Sequence, residues 1–168
     1  TVVADESLGS IQFAADDPSA GAVGASIQSK ASSAWSSNNY GAYIRFLTTP
    51  DNSGDQAERM RITEDGDVGI GTDNPSVYKL NVQNADGNNG GWAAFIANLD
   101  STDGQSNGME INAGSNSSDT ALKIASHDGG TELFRIKGDG NVGIGGSPSN
   151  RLDVQDTADP AQIRLKQS

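Results

Sequence analysis

Arg61-Ile62-Thr63-Glu64-Asp65-Gly66-Asp67-Val68-Gly69-Ile70-Gly71 returns, 74 residues on, as Arg135-Ile136-Lys137-Gly138-Asp139-Gly140-Asn141-Val142-Gly143-Ile144-Gly145. A proline follows each copy (Pro75, Pro148), then a short alternating run, Lys79-Leu80-Asn81-Val82 or Arg151-Leu152-Asp153-Val154. Internal repetition points to serial units rather than one catalytic domain. Between the copies the apolar residues and glycines persist while the acids vary. The constraint is therefore on packing, not on chemistry.

Working outward, nearly every apolar cluster alternates with period two, the mark of half-buried strands. Ile11 and Phe13, Ile44 and Phe46, Met60 and Ile62, Leu80 and Val82, Met109 and Ile111 all alternate with polar neighbours. So do Leu122 and Ile124, Phe134 and Ile136, Leu152 and Val154, Ile163 and Leu165. Residues 24–30 read as a strand and 31–40 as a long loop. Asp-Gly dipeptides at 65–66, 86–87, 103–104, 128–129 and 139–140 and Asn-Gly at 89–90 and 107–108 supply turn chemistry. The expected fold is all-β: an elongated, repeat-built homotrimeric fibre of short strands and hairpins, β-prism or β-helix-like, with little or no helix. The expected units are 8–74, 75–148, and a third that begins at 151 and is cut at 168. In the second unit, Ala121-Leu122-Lys123-Ile124 takes the place of Tyr43-Ile44-Arg45-Phe46, and Trp92-Ala93-Ala94-Phe95-Ile96-Ala97 that of Ile11-Gln12-Phe13.

The composition presses toward shared cores. Only 34% of the 168 residues are hydrophobic and 5% aromatic, with 21 glycines. Such a chain has difficulty offsetting its conformational entropy alone, and sharing a core with other chains is the usual remedy. The net charge of −11 disfavours nucleic acid and anionic membranes as partners. No apolar run approaches the roughly 20 residues of a membrane-spanning helix, so no membrane insertion is expected. Cysteine is absent, which removes disulfides and thiolate chemistry.

Glycine at alternate positions strips one face of a strand. Val68, Gly69, Ile70 and Gly71, with Val142, Gly143, Ile144 and Gly145, are candidate inter-chain packing residues, because bare backbone permits close approach. Two readings fit: a narrow axis where identical chains meet, or a tight bend within one chain.

Glu58-Arg59-Met60-Arg61-Ile62, then Gly66, Val68-Gly69-Ile70-Gly71, Pro75 and Leu80-Asn81-Val82, resembles a segment of bacteriophage tail fibre and tailspike proteins, found upstream of a C-terminal intramolecular chaperone domain. Gly9-Ser10-Ile11-Gln12-Phe13, Asp17-Pro18, Gly21-Ala22-Val23 and Gly41-Ala42-Tyr43-Ile44-Arg45-Phe46 resemble it too. The second copy departs from the pattern, with Glu132-Leu133-Phe134-Arg135-Ile136. The resemblance implies a homotrimeric fibre segment of the virion tail, extracellular, that supports or mediates adhesion to a host-surface glycan or protein receptor. No self-cleavage residue carries over. A tailspike-type polysaccharide depolymerase and a cellular extracellular filament or adhesin are the alternatives.

Catalytic chemistry is poorly served. The single histidine, His127, sits in a turn-like His-Asp-Gly-Gly run. Asp16-Asp17, or Glu64, Asp65 and Asp67, could form a glycosidase pair, but the latter lie at a repeated hairpin whose turn chemistry explains them. Asp65-Gly66-Asp67 and Asp100-Ser101-Thr102-Asp103-Gly104 lack the spacing of a helix-loop-helix calcium loop. No catalytic residue, metal or cofactor is expected, and the chain is read as no enzyme. Trp35, Tyr40, Tyr43 and Trp92, beside Asn, Asp and Ser, are candidate glycan-stacking residues; the competing reading is that the tryptophans fill a sparse core. Arg45, Arg59, Arg61 and Arg135 are expected to pair with carboxylates across strands or between chains.

Overall fold

The computed structural model describes residues 1–16, 23–84, 92–99 and 107–155. These residues contain strands and no helix. Ile163 and Leu165, Asp17, and the Asp100–Gly104 acids lie outside the described residues. The chain divides into two compact units, Thr1–Phe95 and Ile96–Ser168.

The first unit holds a six-stranded mixed sheet in the order of the sequence: β1 (Ser7–Ala14), β2 (Val23–Ala31), β3 (Ala42–Thr48), β4 (Ala57–Ile62), β5 (Val68–Ile70) and β6 (Leu80–Val82). The second holds a four-stranded mixed sheet of β7 (Thr120–Ala125), β8 (Glu132–Lys137), β9 (Val142–Ile144) and β10 (Leu152–Val154). Pairing is antiparallel except at the last step, where β5 runs parallel to β6 and β9 to β10. The boundary drawn at 74/75 thus falls inside a sheet, and the strand that follows each proline joins the sheet before it. The run at 151 closes the second sheet in the same way.

Hairpin chemistry acts where the sequence places it. Thr63 N–H bonds Asp67 O and Gly66 N–H bonds Thr63 O, with Gly66 at φ +77°. Lys137, Asn141 and Gly140 (φ +84°) repeat this geometry. Each is a three-residue hairpin whose glycine occupies the left-handed position.

The parallel steps rest on the alternating glycines. A parallel pair usually needs a crossover of about a dozen residues or more; here residues 71–79 and 145–151 suffice. The crossover lies directly on the strand it leaves. A Cβ on Gly69 would stand 2.5 Å from the Thr72 carbonyl oxygen, and one on Gly143 would stand 2.2 Å from that of Gly146. Gly71 (φ +72°) and Gly145 (φ +82°) then turn the chain where a Cβ would meet the Gln83 or Gln155 carbonyl oxygen at 2.2 or 2.1 Å. Pro75 and Pro148 are buried beneath the loops. The bare backbone of Gly69, Gly71, Gly143 and Gly145 is met by backbone of the same chain.

Sequence alternation also misplaces two elements. Residues 92–97 and 109–111 carry strand patterns but have no strand structure.

Two of these glycines separate the contributions of φ and space. Gly71→Ala and Gly145→Ala combine a left-handed backbone with backbone overlap and are expected to cost more than about 2 kcal/mol each. Gly66→Ala has the same φ with nothing within 4 Å and is expected to cost only the strain of about 1–2 kcal/mol. Denaturant unfolding of the three variants measures the difference.

Candidate interaction surface and aromatic loop

Register assigns every strand residue to a face. One row across sheet one is Ile11, Ile27, Phe46, Met60, Ile70 and Val82. The next row on that face is Gly9, Ser29, Ile44, Ile62, Val68 and Leu80. Sheet two repeats the arrangement with Ile124, Phe134, Ile144 and Val154, then Leu122, Ile136, Val142 and Leu152. These are the apolar faces, and they are open. Ile11 is 60% exposed, Phe13 57%, Leu80 62% and Leu152 61%.

The opposite, polar face of sheet one is the covered one. Its residues include Ser26, Tyr43 and Leu47, at 2%, 6% and 5% exposure. The N-terminal segment and the crossover loop lie on this side: Tyr43 Oη donates to Asp5 Oδ1 at 2.7 Å, and Lys30 Nζ to Asp5 O at 2.8 Å. The burial usual for a half-solvated sheet is inverted.

An ion network organises that polar face. In a regular strand, residues three apart point to opposite sides. A bulge between the Met60 and Glu58 pairings inserts Arg59 and rotates Glu58 onto the side of Arg61. Arg61 then grips Glu58 with two bonds of 2.7 and 2.9 Å. Arg45 approaches Glu58 at 3.6 Å and donates to Gln28 Oε1 at 2.7 and 3.1 Å. The Arg61 guanidinium lies 4.3 Å from the centre of the Tyr43 ring, a cation–π contact. Sheet two repeats the bulge at Leu133, and Arg135 pairs with Glu132. There Lys123 and Ala121 replace Arg45 and Tyr43, and Glu132 Oε1 and Arg135 Nε are buried without partners. Three of the four arginines named from the sequence therefore pair within the chain; Arg59 donates to Thr48 Oγ1 at 2.9 Å.

The aromatic candidates separate. Trp35 and Tyr40 meet edge to face, centroids 5.5 Å apart at 81°. Their polar ends are engaged, Trp35 Nε1 with Gly41 O at 3.1 Å and Tyr40 Oη with Ser37 O at 3.2 Å. Tyr43 offers no stacking face, since it is buried under Arg61 and bonded to Asp5; its period-two position placed it on the polar side, where the N-terminal segment covers it. Trp92 is 90% exposed, in a stretch without strand structure.

The acids serve turns. Asp67 pairs with Lys79 at 2.5 Å, and Lys79 also donates to Asp65 O at 3.0 Å. Arg151 donates to Asp139 O at 3.1 Å in the corresponding place. Asp153 accepts from the Ser149 amide and hydroxyl, which hold its carboxyl below the usual range. Asp128, beside His127, is lowered in the same way by Ser126 and the Gly130 amide. Among the described residues, no group of three or more His, Cys, Asp or Glu side chains is placed to hold a metal ion.

Of these surfaces, the apolar rows carry the most free energy. Full burial of one such side chain is worth about 1.5–3 kcal/mol. Nine of them stand roughly half open: Ile11, Phe13, Ile44, Ile70, Leu80 and Val82 in sheet one, and Ile124, Ile144 and Leu152 in sheet two. Covering them would recover on the order of 7–13 kcal/mol. Association costs about 4–15 kcal/mol, a range that the gain pooled over both sheets matches more fully than that of either sheet alone.

No family model matches the chain, and no curated protein matches it.

Two variants test the polar face. Arg61→Ala is expected to cost about 1–3 kcal/mol, between the values for exposed and buried pairs, whereas Arg59→Ala on the exposed bulge is expected to be near neutral; chemical denaturation reads both. Burial, then the bond to Asp5, raises the Tyr43 phenol above its ordinary 10.0. The unfolded phenol ionises first, so stability is flat below pH 10 and falls as pH rises toward the folded value. Tyr43→Phe is expected to lose about 1 kcal/mol at neutral pH and to remove that alkaline loss, as followed by thermal unfolding against pH.

Proposed function

We propose that the chain is a structural segment of a homotrimeric bacteriophage tail fibre, repeat-built and elongated, that supports or mediates adhesion to the host surface. The observation that carries this reading is the pair of uncovered apolar faces. Among the described residues only Ala31, Tyr43 and Leu47 are buried hydrophobics. Sheets this poor in core need another layer, and further copies of the same chain are the partner always present as it folds. The number three, the virion tail and the extracellular location come from the resemblance of Glu58–Ile62, Val68–Gly71 and Leu80–Val82 to tail fibre segments.

In this reading the inter-chain contacts are made by Val68, Ile70, Val142 and Ile144, while the four glycines serve the chain's own crossovers. The Trp35–Tyr40 loop is the place for receptor contact, glycan or protein. Enzymatic cleavage of a host polysaccharide finds little support in Asp67, Asp128, Asp139 and Asp153, whose carboxylates are engaged in turns and loop anchors.

Sedimentation equilibrium of the purified chain is expected to give three times the 17.3 kDa chain mass. The double variant Ile70→Asp, Ile144→Asp is expected to lose that assembly. A stably folded monomer of the native sequence would contradict the proposal.

A further inference from the structure

Sheet two stops at β7, two strands earlier than its counterpart. β7 corresponds to β3: Leu122 pairs with Ile136 and Ile124 with Phe134, as Ile44 pairs with Ile62 and Phe46 with Met60. On its other side β3 is flanked by β2, whereas the outer edge of β7 has no strand partner among the described residues.

Just upstream lies Gly108-Met109-Glu110-Ile111-Asn112-Ala113, described without strand structure. It alternates apolar and polar, and Met109 and Ile111 are 61% and 43% exposed. In sheet one Ile27 pairs with Phe46, Gln28 with Arg45 and Ala31 with Ala42. The same register sets Met109 opposite Ile124, Glu110 opposite Lys123 and Ala113 opposite Thr120. Met109 and Ile111 then extend the apolar rows, and Glu110 falls on the polar face.

The Glu110–Lys123 position is the informative one. Its counterpart, Gln28–Arg45, is hydrogen-bonded in sheet one. Both members have changed, to a carboxylate and an ammonium, and opposite charges across a strand pair stabilise it. A slip by one residue would put Glu110 on the apolar face, so the pattern specifies one register.

The connection is already folded. Asp119 accepts from Ser115 N and Oγ at 2.9 and 3.0 Å, and Asp119 N–H bonds Asn116 O. Above this turn, a cleft of about 940 Å³ is lined by Ile111–Gly114 on one arm and Ser118–Thr120 on the other. The arms of a hairpin are present and stand apart.

We propose that residues 107–113 are a docking strand, which closes this cleft and pairs antiparallel with the free edge of β7 in the same chain. Docking carries Met109 and Ile111 onto the apolar face, so it gains most when that face is covered; to this extent it rests on the proposed assembly.

Hydrogen exchange on the full chain, with sedimentation of the same sample, tests the pairing. Amides of 107–113 are expected to exchange within about tenfold of those of β7. Exchange at unstructured rates in a trimeric sample overturns the docking strand and leaves the fibre reading standing. Exchange at those rates in a monomeric sample overturns both. Slow exchange in a monomer supports the strand, removes its coupling to assembly and contradicts the homotrimer. A second arm fixes register and source. Glu110→Cys with Lys123→Cys is expected to oxidise to a disulfide within one chain, since directly paired strand positions fall within disulfide reach. A bond between chains, or equal yield from Glu110→Cys with Ile124→Cys, overturns the proposal.

Discussion

The close approach of a loop to a glycine strand is the constraint on which the rest of this structure depends. Thr72 O over Gly69, and Gly146 O over Gly143, occupy the space a side chain would fill. That contact lets a short crossover return the chain in parallel beside the strand it has just left. It also decides which side of the sheet the loop takes. The loop lies on the glycine side, where period two places Arg45 and Arg61 and the bulge at Arg59 brings Glu58.

The inverted burial follows. Loop and N-terminal segment cover a face of ions and amides, where the bulge turns Glu58 toward Arg61 and Gln56 Nε2 stays without a partner. The isoleucine rows on the other face are left without a cover from their own sheet. A polar, glycine-rich chain thereby keeps its order through backbone pairing and a charged network, and leaves its main hydrophobic resource open.

Much of this was legible in the sequence. Alternation located seven of the ten strands, the glycine repeat marked β5 and β9, and residues 24–30 were read as a strand where β2 lies; the equivalence of Tyr43–Phe46 with Ala121–Ile124 agrees with the observed register. The Asp-Gly hairpins at 65–66 and 139–140 form as read. The rest was hidden for physical reasons. Parallel pairing after Pro75 and Pro148 leaves no periodic trace, because three-residue strands alternate alike in either direction. The bulges at Arg59 and Leu133 break the very period by which faces are read, which concealed the Glu58–Arg61 and Glu132–Arg135 pairs. Tyr43 looked like its aromatic neighbours Trp35 and Tyr40, and only the distant Asp5, brought over it by the fold, distinguishes it. The glycine alternation left open which backbone approaches it, and within the chain Thr72 O, Gln83 O, Gly146 O and Gln155 O do so.

The central claim is that other copies of this chain cover the apolar rows. Hydroxyl-radical footprinting of the native assembly tests it residue by residue at Ile11, Ile44, Ile70, Ile144 and Leu152. The account predicts that these side chains are protected, while Val77, 86% exposed in a crossover loop, reacts freely. Reactivity of the five matching that of Val77 would contradict it.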